Sequence, residues 1–134
     1  MTHIDLENEI RQSVVIVWPG RYRYLKLEKM PPHQRFFLLS QDSEEITAIV
    51  EEKDVLATPH SGNVGVFKAF EFRCATPFLA KGFLAKISET IAAKGLNILI
   101  VSTFSKDYAF IREEDSLMAI DALRAIGFSV TEAT

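Results

Sequence analysis

Apolar and polar positions in the C-terminal half alternate between helical and extended periods. Phe83, Leu84, Ile87 and Ile91 recur at spacings of one, three, four and seven, which puts them on one face of a helix. Lys86, Ser88, Glu89 and Lys94 fall towards water on the other. Gly95 is expected to take the left-handed conformation that ends the helix, with Lys94 near the negative end of its dipole. Residues 96–101 form a nearly continuous Leu, Ile and Val run, broken only by Asn97, which predicts a central strand, and residues 108–111 predict a shorter one. Between them Ser102-Thr103-Phe104-Ser105-Lys106-Asp107 has hairpin composition. Glu113, Glu114 and Asp115 suit a first helical turn, where the positive dipole end favours carboxylates. Leu117, Ile120, Leu123 and Ile126 continue that helix to Gly127, and residues 128–131 make a last strand. With residues 66–73 as the opening strand, residues 66–131 read βαββαβ. The expected class is α+β and ferredoxin-like, a four-stranded antiparallel sheet with both helices on one face.

The first half is strand-rich. Residues 14–18 are apolar, β-branched up to Val17, and end at Pro19-Gly20, which has turn chemistry; residues 21–28 alternate and stop before Pro31-Pro32. Residues 36–39 and 46–50 flank the polar stretch 40–45 as a second hairpin. Thr58-Pro59-His60-Ser61-Gly62-Asn63 is the best linker, and no helical pattern of convincing length precedes it. The expected division is a helix-poor unit over residues 13–62 and a second unit over residues 66–131.

Composition narrows the function. The chain has 134 residues, 48% of them apolar and ten of them Phe, which is enough to build a core. A net charge of −3 without clustered Lys or Arg argues against a nucleic-acid surface. Cys74 is the only cysteine, so an intramolecular disulfide is impossible. The polar N-terminus lacks a signal-peptide core and no run reaches membrane-spanning length, so a cytoplasmic protein is expected, with no membrane and no nucleic acid among its partners. His3, His33 and His60 have no metal-ligand spacing, and the carboxylate pairs sit in turns, strand ends or a helix start. No phosphate loop, nucleophile elbow or zinc-hydrolase helix occurs. Neither an enzyme nor a bound cofactor is expected.

Two stretches carry candidate chemistry. A helix starting near Phe78 would present free N–H groups to a carboxylate, and Gly82 would let a ligand or a neighbouring backbone approach closely. Ser102, Thr103 and Asp107 could hold an amino-acid head group, the carboxylate pairing with an ammonium. From the residues alone, helix packing accounts for the first stretch and turn chemistry for the second. Lys106 beside Asp107 fits an acidic ligand or a lysine turned to water.

Residues 77–85, 95–98 and 102–108, read as PFLAKGFLA, GLNI and STFSKDY, closely resemble the ACT domain, a small regulatory domain that binds amino acids. More narrowly they resemble the tandem-ACT branch that includes the CASTOR-type arginine sensors and small bacterial ACT proteins. Phe104 stands where that branch usually has Tyr, and Lys106 where it usually has Thr. The resemblance implies that residues 13–62 are an abbreviated ACT-like unit. It also implies a ligand site drawn from Thr76, Phe78, Leu79, Gly82, Phe83 and Leu84 at the first helix and from Ile98, Ser102, Thr103 and Asp107 at the hairpin. The expectation is a non-catalytic regulator that binds an amino acid or similar small molecule, pairs as a homodimer and acts through ligand-stabilised packing of ACT units. No accompanying kinase, dehydrogenase or DNA-binding module is expected, so its output would pass to a partner protein. The alternative is a ligand-free structural or oligomerisation protein on the same fold.

Overall fold

A computed structural model describes residues 5–32, 35–74 and 82–134. The chain divides into two compact units, one of Met1–Pro19 with Lys68–Thr134, the other of Gly20–Phe67.

The larger unit begins with a helix that periodicity did not reveal, α1 (Leu6–Gln12). It is two turns long, too short for a helical period to stand out. The side chain of Asp5 caps it, accepting from the N–H groups of Glu7 and Asn8. Its buried Ile10 joins the core. Strand β1 (Val14–Val17) follows and pairs antiparallel with the end of a long strand, Val14 opposite Arg73 and Val17 opposite Phe70. The expected division at residue 13 therefore meets a boundary at Pro19, and β1 serves the larger unit.

The smaller unit consists of β2 (Tyr22–Leu27), β3 (Leu38–Gln41), β4 (Ile46–Glu51), a 3-10 turn (Glu52–Asp54) and the first part of β5 (Gly62–Arg73). Its strands pair antiparallel, with β4 between β3 and β2 and β2 next to β5. Leu25, Leu27, Ala48, Val50 and Val55 form its core. The β3–β4 turn closes on Asp42, whose carboxylate accepts from the N–H groups of Glu44 and Glu45. Gly62 and Asn63, expected within a linker, are already strand.

From residue 68 onward β5 belongs to the larger unit. There follow α2 (Phe83–Ala92), β6 (Leu99–Ser102), β7 (Asp107–Arg112), a 3-10 turn (Glu113–Asp115), α3 (Ser116–Ala125) and β8 (Ser129–Glu132). The βαββαβ order is present and the fold is α+β, but the sheet differs from the four-stranded expectation. Strand β1 lies between β5 and β8 and runs parallel to β8, giving the order β8-β1-β5-β7-β6. A strand borrowed from the N-terminus cannot be placed by reading the βαββαβ stretch alone.

Three further expectations change. The apolar run at 96–101 is not a central strand: Leu96 donates its N–H to Ile91 O at 3.4 Å as the helix end closes around Gly95, and only Leu99–Ser102 is extended. Within the described residues β6 pairs with β7 alone, leaving Leu99 38% and Ile100 39% exposed. Strand β7 is the buried one, because an apolar run does not distinguish an edge from a centre. Helix α2 begins at Phe83, whereas Phe78, near which it was expected to start, lies outside the described residues. Leu117, expected on the buried face of α3, is 73% exposed, while Ala119, Ile120, Ala122 and Leu123 point inward.

The core joins all three helices to the sheet. Phe70 and Phe72 on β5, Val15 and Val17 on β1, Ala109 and Ile111 on β7 and Val130 on β8 face Ile10, Phe83, Ile87, Ile91, Ile120 and Leu123. Phe72, Phe83 and Phe128 meet edge to face, with centroids 5.6 to 6.4 Å apart. Gly127, at φ 116°, ends α3 tightly: a Cβ there would lie 3.3 Å from Arg11 Cγ. Truncating Leu123→Ala is expected to cost about 2–5 kcal/mol in urea unfolding, and Leu117→Ala less than about 0.5 kcal/mol. Equal losses would contradict the helix orientation.

Candidate functional site

Strand β5 presents opposite characters on its two faces. Phe70 and Phe72 enter the core, whereas Glu71 turns the other way and is nevertheless 1% exposed. Its Oε1 accepts from Trp18 Nε1 at 3.0 Å and its Oε2 from Arg73 Nε at 2.7 Å. A buried carboxylate is tolerated only when its oxygens are satisfied. Burial pushes the Glu71 carboxyl up, but the hydrogen bonds from Arg73 and Trp18, with the charges of Arg73 and Lys106, outweigh it and hold the group below its ordinary value.

The second element is the start of α2. Gly82 stands at its N-cap with φ 81°, a left-handed conformation natural to glycine, and offers no side chain to cap the helix. Its carbonyl accepts from Lys86 N–H at 2.9 Å, so the first-turn N–H groups of Phe83, Leu84 and Ala85 lack intrahelical partners. Among the described residues, a Cβ at Gly82 would meet Leu6 Cδ2 at 4.0 Å and nothing nearer. The backbone angle, and not crowding, is what calls for glycine here.

The third element is the β6–β7 hairpin. Thr103 N–H donates to Lys106 O at 2.8 Å and closes the turn. Ser102 Oγ donates to Asp107 Oδ1 at 2.6 Å across its base. Phe104 projects fully exposed from the tip.

These three elements enclose one cleft of about 730 Å³. Gly82, Phe83, Leu84, Ser102, Thr103 and Asp107 line it, so residues expected from two distant stretches come together. Ile98 does not line it; it is half-buried against the core. Thr76, Phe78 and Leu79 lie outside the described residues. Sequence reasoning missed Glu71, Arg73 and Cys74 as cleft residues. Their signal was available in β5 as a charged residue on either side of Phe72, but Glu and Arg on a strand read as a solvated face.

Cys74 is half-buried at the cleft wall, and burial, with the charges of Asp107 and Glu9, pushes its thiol up from 9.0 to about 11. Burial likewise raises the Tyr108 hydroxyl, aided by the Glu71 charge, with Lys106 and Arg73 opposing. Among the described residues no helix is long and apolar enough to cross a membrane.

Two pH dependences follow from these groups. Because the folded state depresses the Glu71 carboxyl from 4.5, its contribution to stability is present above that value and is lost as pH falls through the lower folded one. Urea unfolding across this acid window is expected to show a steeper loss for the native protein than for Glu71→Gln; parallel curves would refute the assignment. At pH 8 a thiol raised to about 11 holds about a hundredfold less thiolate than one at 9.0, so iodoacetamide should label Cys74 correspondingly slowly. Labelling at the rate of a free thiol would count against the buried setting.

Comparison with known proteins agrees with this architecture. The family model described as ACT domain matches residues 67–125. No curated protein sequence matches the chain. Among solved structures, a Vibrio cholerae protein of unknown function aligns with TM-score 0.79 at 15% identity, covering 91% of this chain and 95% of that one. An Agrobacterium tumefaciens protein aligns with TM-score 0.77 at 20% identity, covering 91% and 94%. The ligand-free regulatory subunit of aspartate kinase from Thermus thermophilus aligns with TM-score 0.60 at 12% identity, covering 88% and 97%. At such identities the likeness is one of fold. Residues 67–125 are thus similar to an ACT domain, and the fold is one shared with the regulatory part of aspartate kinases.

Proposed function

We propose that the protein is a regulatory module whose cleft binds an amino acid or a closely similar small molecule. The observation that carries this reading is the meeting of two complementary groups in one cleft. First-turn N–H groups of α2, uncapped among the described residues, suit a carboxylate, and Asp107 on the facing hairpin suits an ammonium. Ser102 holds Asp107 in place and can share its hydroxyl with the head group. The apolar share of the wall, from Phe72, Phe83 and Leu84, is left for the ligand's carbon skeleton.

The module acts without catalysis. Cys74, the one thiol in the cleft, is held protonated, which suits a wall residue and not a nucleophile. Regulation comes from differential affinity: a ligand that binds one conformational state more tightly than another shifts the balance by that difference. In this reading the ACT domain works as a pair with a second copy and hands its state to a partner protein.

A second reading, a ligand-free interaction module, is favoured by one observation. The β6 edge is apolar and, among the described strands, paired on one side only, and open edges of that kind pair with other chains.

Thermal unfolding against the twenty amino acids separates the two. A ligand at a hundred times its dissociation constant adds about 2.7 kcal/mol and raises the midpoint by roughly 10 °C. The amino-acid reading expects a response that Asp107→Ala removes. Silence from all twenty would sink it and leave the interaction module.

A further inference from the structure

We infer that Arg73, anchored by the buried Glu71 and assisted by Lys106, makes this cleft selective for an acidic amino acid, the guanidinium receiving the side-chain carboxylate. The inference rests on the amino-acid reading above and adds the class of ligand.

The argument begins with Glu71. Its side chain is buried at 1% exposure, with Trp18 on one oxygen and Arg73 on the other. A carboxylate fixed at both oxygens is an anchor, and what it holds is Arg73 Nε. The Arg73 side chain is 56% exposed, and among the described residues Nε is its bonded nitrogen. Arg73 lines the cleft, and the end of a guanidinium that carries its two terminal amino groups matches the two oxygens of a carboxylate. An arginine already oriented by a buried partner loses less side-chain freedom on binding than an untethered one.

Charge arithmetic points the same way. Among the described residues, Glu71, Arg73, Lys106 and Asp107 are the charged side chains that line the cleft. Asp107 is assigned to the ligand's ammonium, and the helix start to its α-carboxylate. Glu71, Arg73 and Lys106 remain, two cations against one buried anion. The Lys106 ammonium lies close enough to Glu71 and Tyr108 to act on both groups. The corner therefore keeps one positive charge in excess. An acidic side chain neutralises it, an amide leaves it uncompensated, and a basic side chain adds to it.

Calorimetric titration of the full chain with L-glutamate, L-aspartate, L-glutamine, L-asparagine and L-arginine tests this. The acids are expected to bind about tenfold or more tightly than their amides, the difference made by a charge-assisted pair, with L-arginine weakest. Arg73→Gln should bring acid and amide to similar affinity. Lys106→Gln, on the hairpin and outside the core, should narrow the gap. Glu71→Gln keeps an acceptor for Trp18 but releases Arg73, so it should narrow the acid-to-amide ratio; a purely structural role would weaken both ligands alike and leave the ratio unchanged. A neutral or basic amino acid binding more tightly than the acids, or a ratio that survives Arg73→Gln, would overturn this inference while the amino-acid reading stands. No heat with any of the twenty amino acids at 10-millimolar order would overturn both.

Discussion

The larger unit depends on one constraint, the two-faced character of β5. A strand turns successive side chains to opposite sides, so Phe70 and Phe72 must face one way and Glu71 the other. The aromatic side supplies the floor on which α1, α2 and α3 pack. The opposite side carries a carboxylate that burial makes costly, and that cost is offset only because Trp18 and Arg73 reach it. Trp18 is available because β1 pairs with β5, its ladder continuing as Trp18 N–H donates to Ala69 O. Strand pairing, core and cleft wall are thus consequences of the same register.

Placing β1 between β5 and β8 also explains the seven-residue helix in front of it. A strand in the middle of the sheet brings its preceding segment over the helical face, where Ile10 fills space beside the end of α3 and Arg11 lies against Gly127. Ile10, Val15 and Val17 are therefore part of the core of the larger unit. The family match begins at residue 67 and does not include them.

The cleft joins elements that serve different structural ends. The start of α2 has a glycine at its N-cap and so no N-cap side chain, and the hairpin is closed by its own Ser102–Asp107 and Thr103–Lys106 hydrogen bonds. Each is explicable as local chemistry. Their convergence with the end of β5 gathers Gly82, Asp107, Arg73 and Lys106 around one cleft.

Much of this was determined by sequence alone. The periodic Phe83, Leu84, Ile87 and Ile91 face, the stops at Gly95 and Gly127 and the polar hairpin at 102–107 are local properties, set by side-chain spacing and backbone preference over a few residues, and the structure has them all. The STFSKDY and GFLA stretches likewise marked residues that line the cleft. What tertiary structure decided was whatever depends on distant partners: that the N-terminal strand enters the second unit, that Leu99 and Ile100 lie on an edge while Phe110 is buried, and that Leu117 faces water. Glu71 is the clearest case. Nothing adjacent to it in sequence distinguishes a solvated glutamate from a buried one; its state follows from Trp18, 53 residues away, arriving across a paired strand.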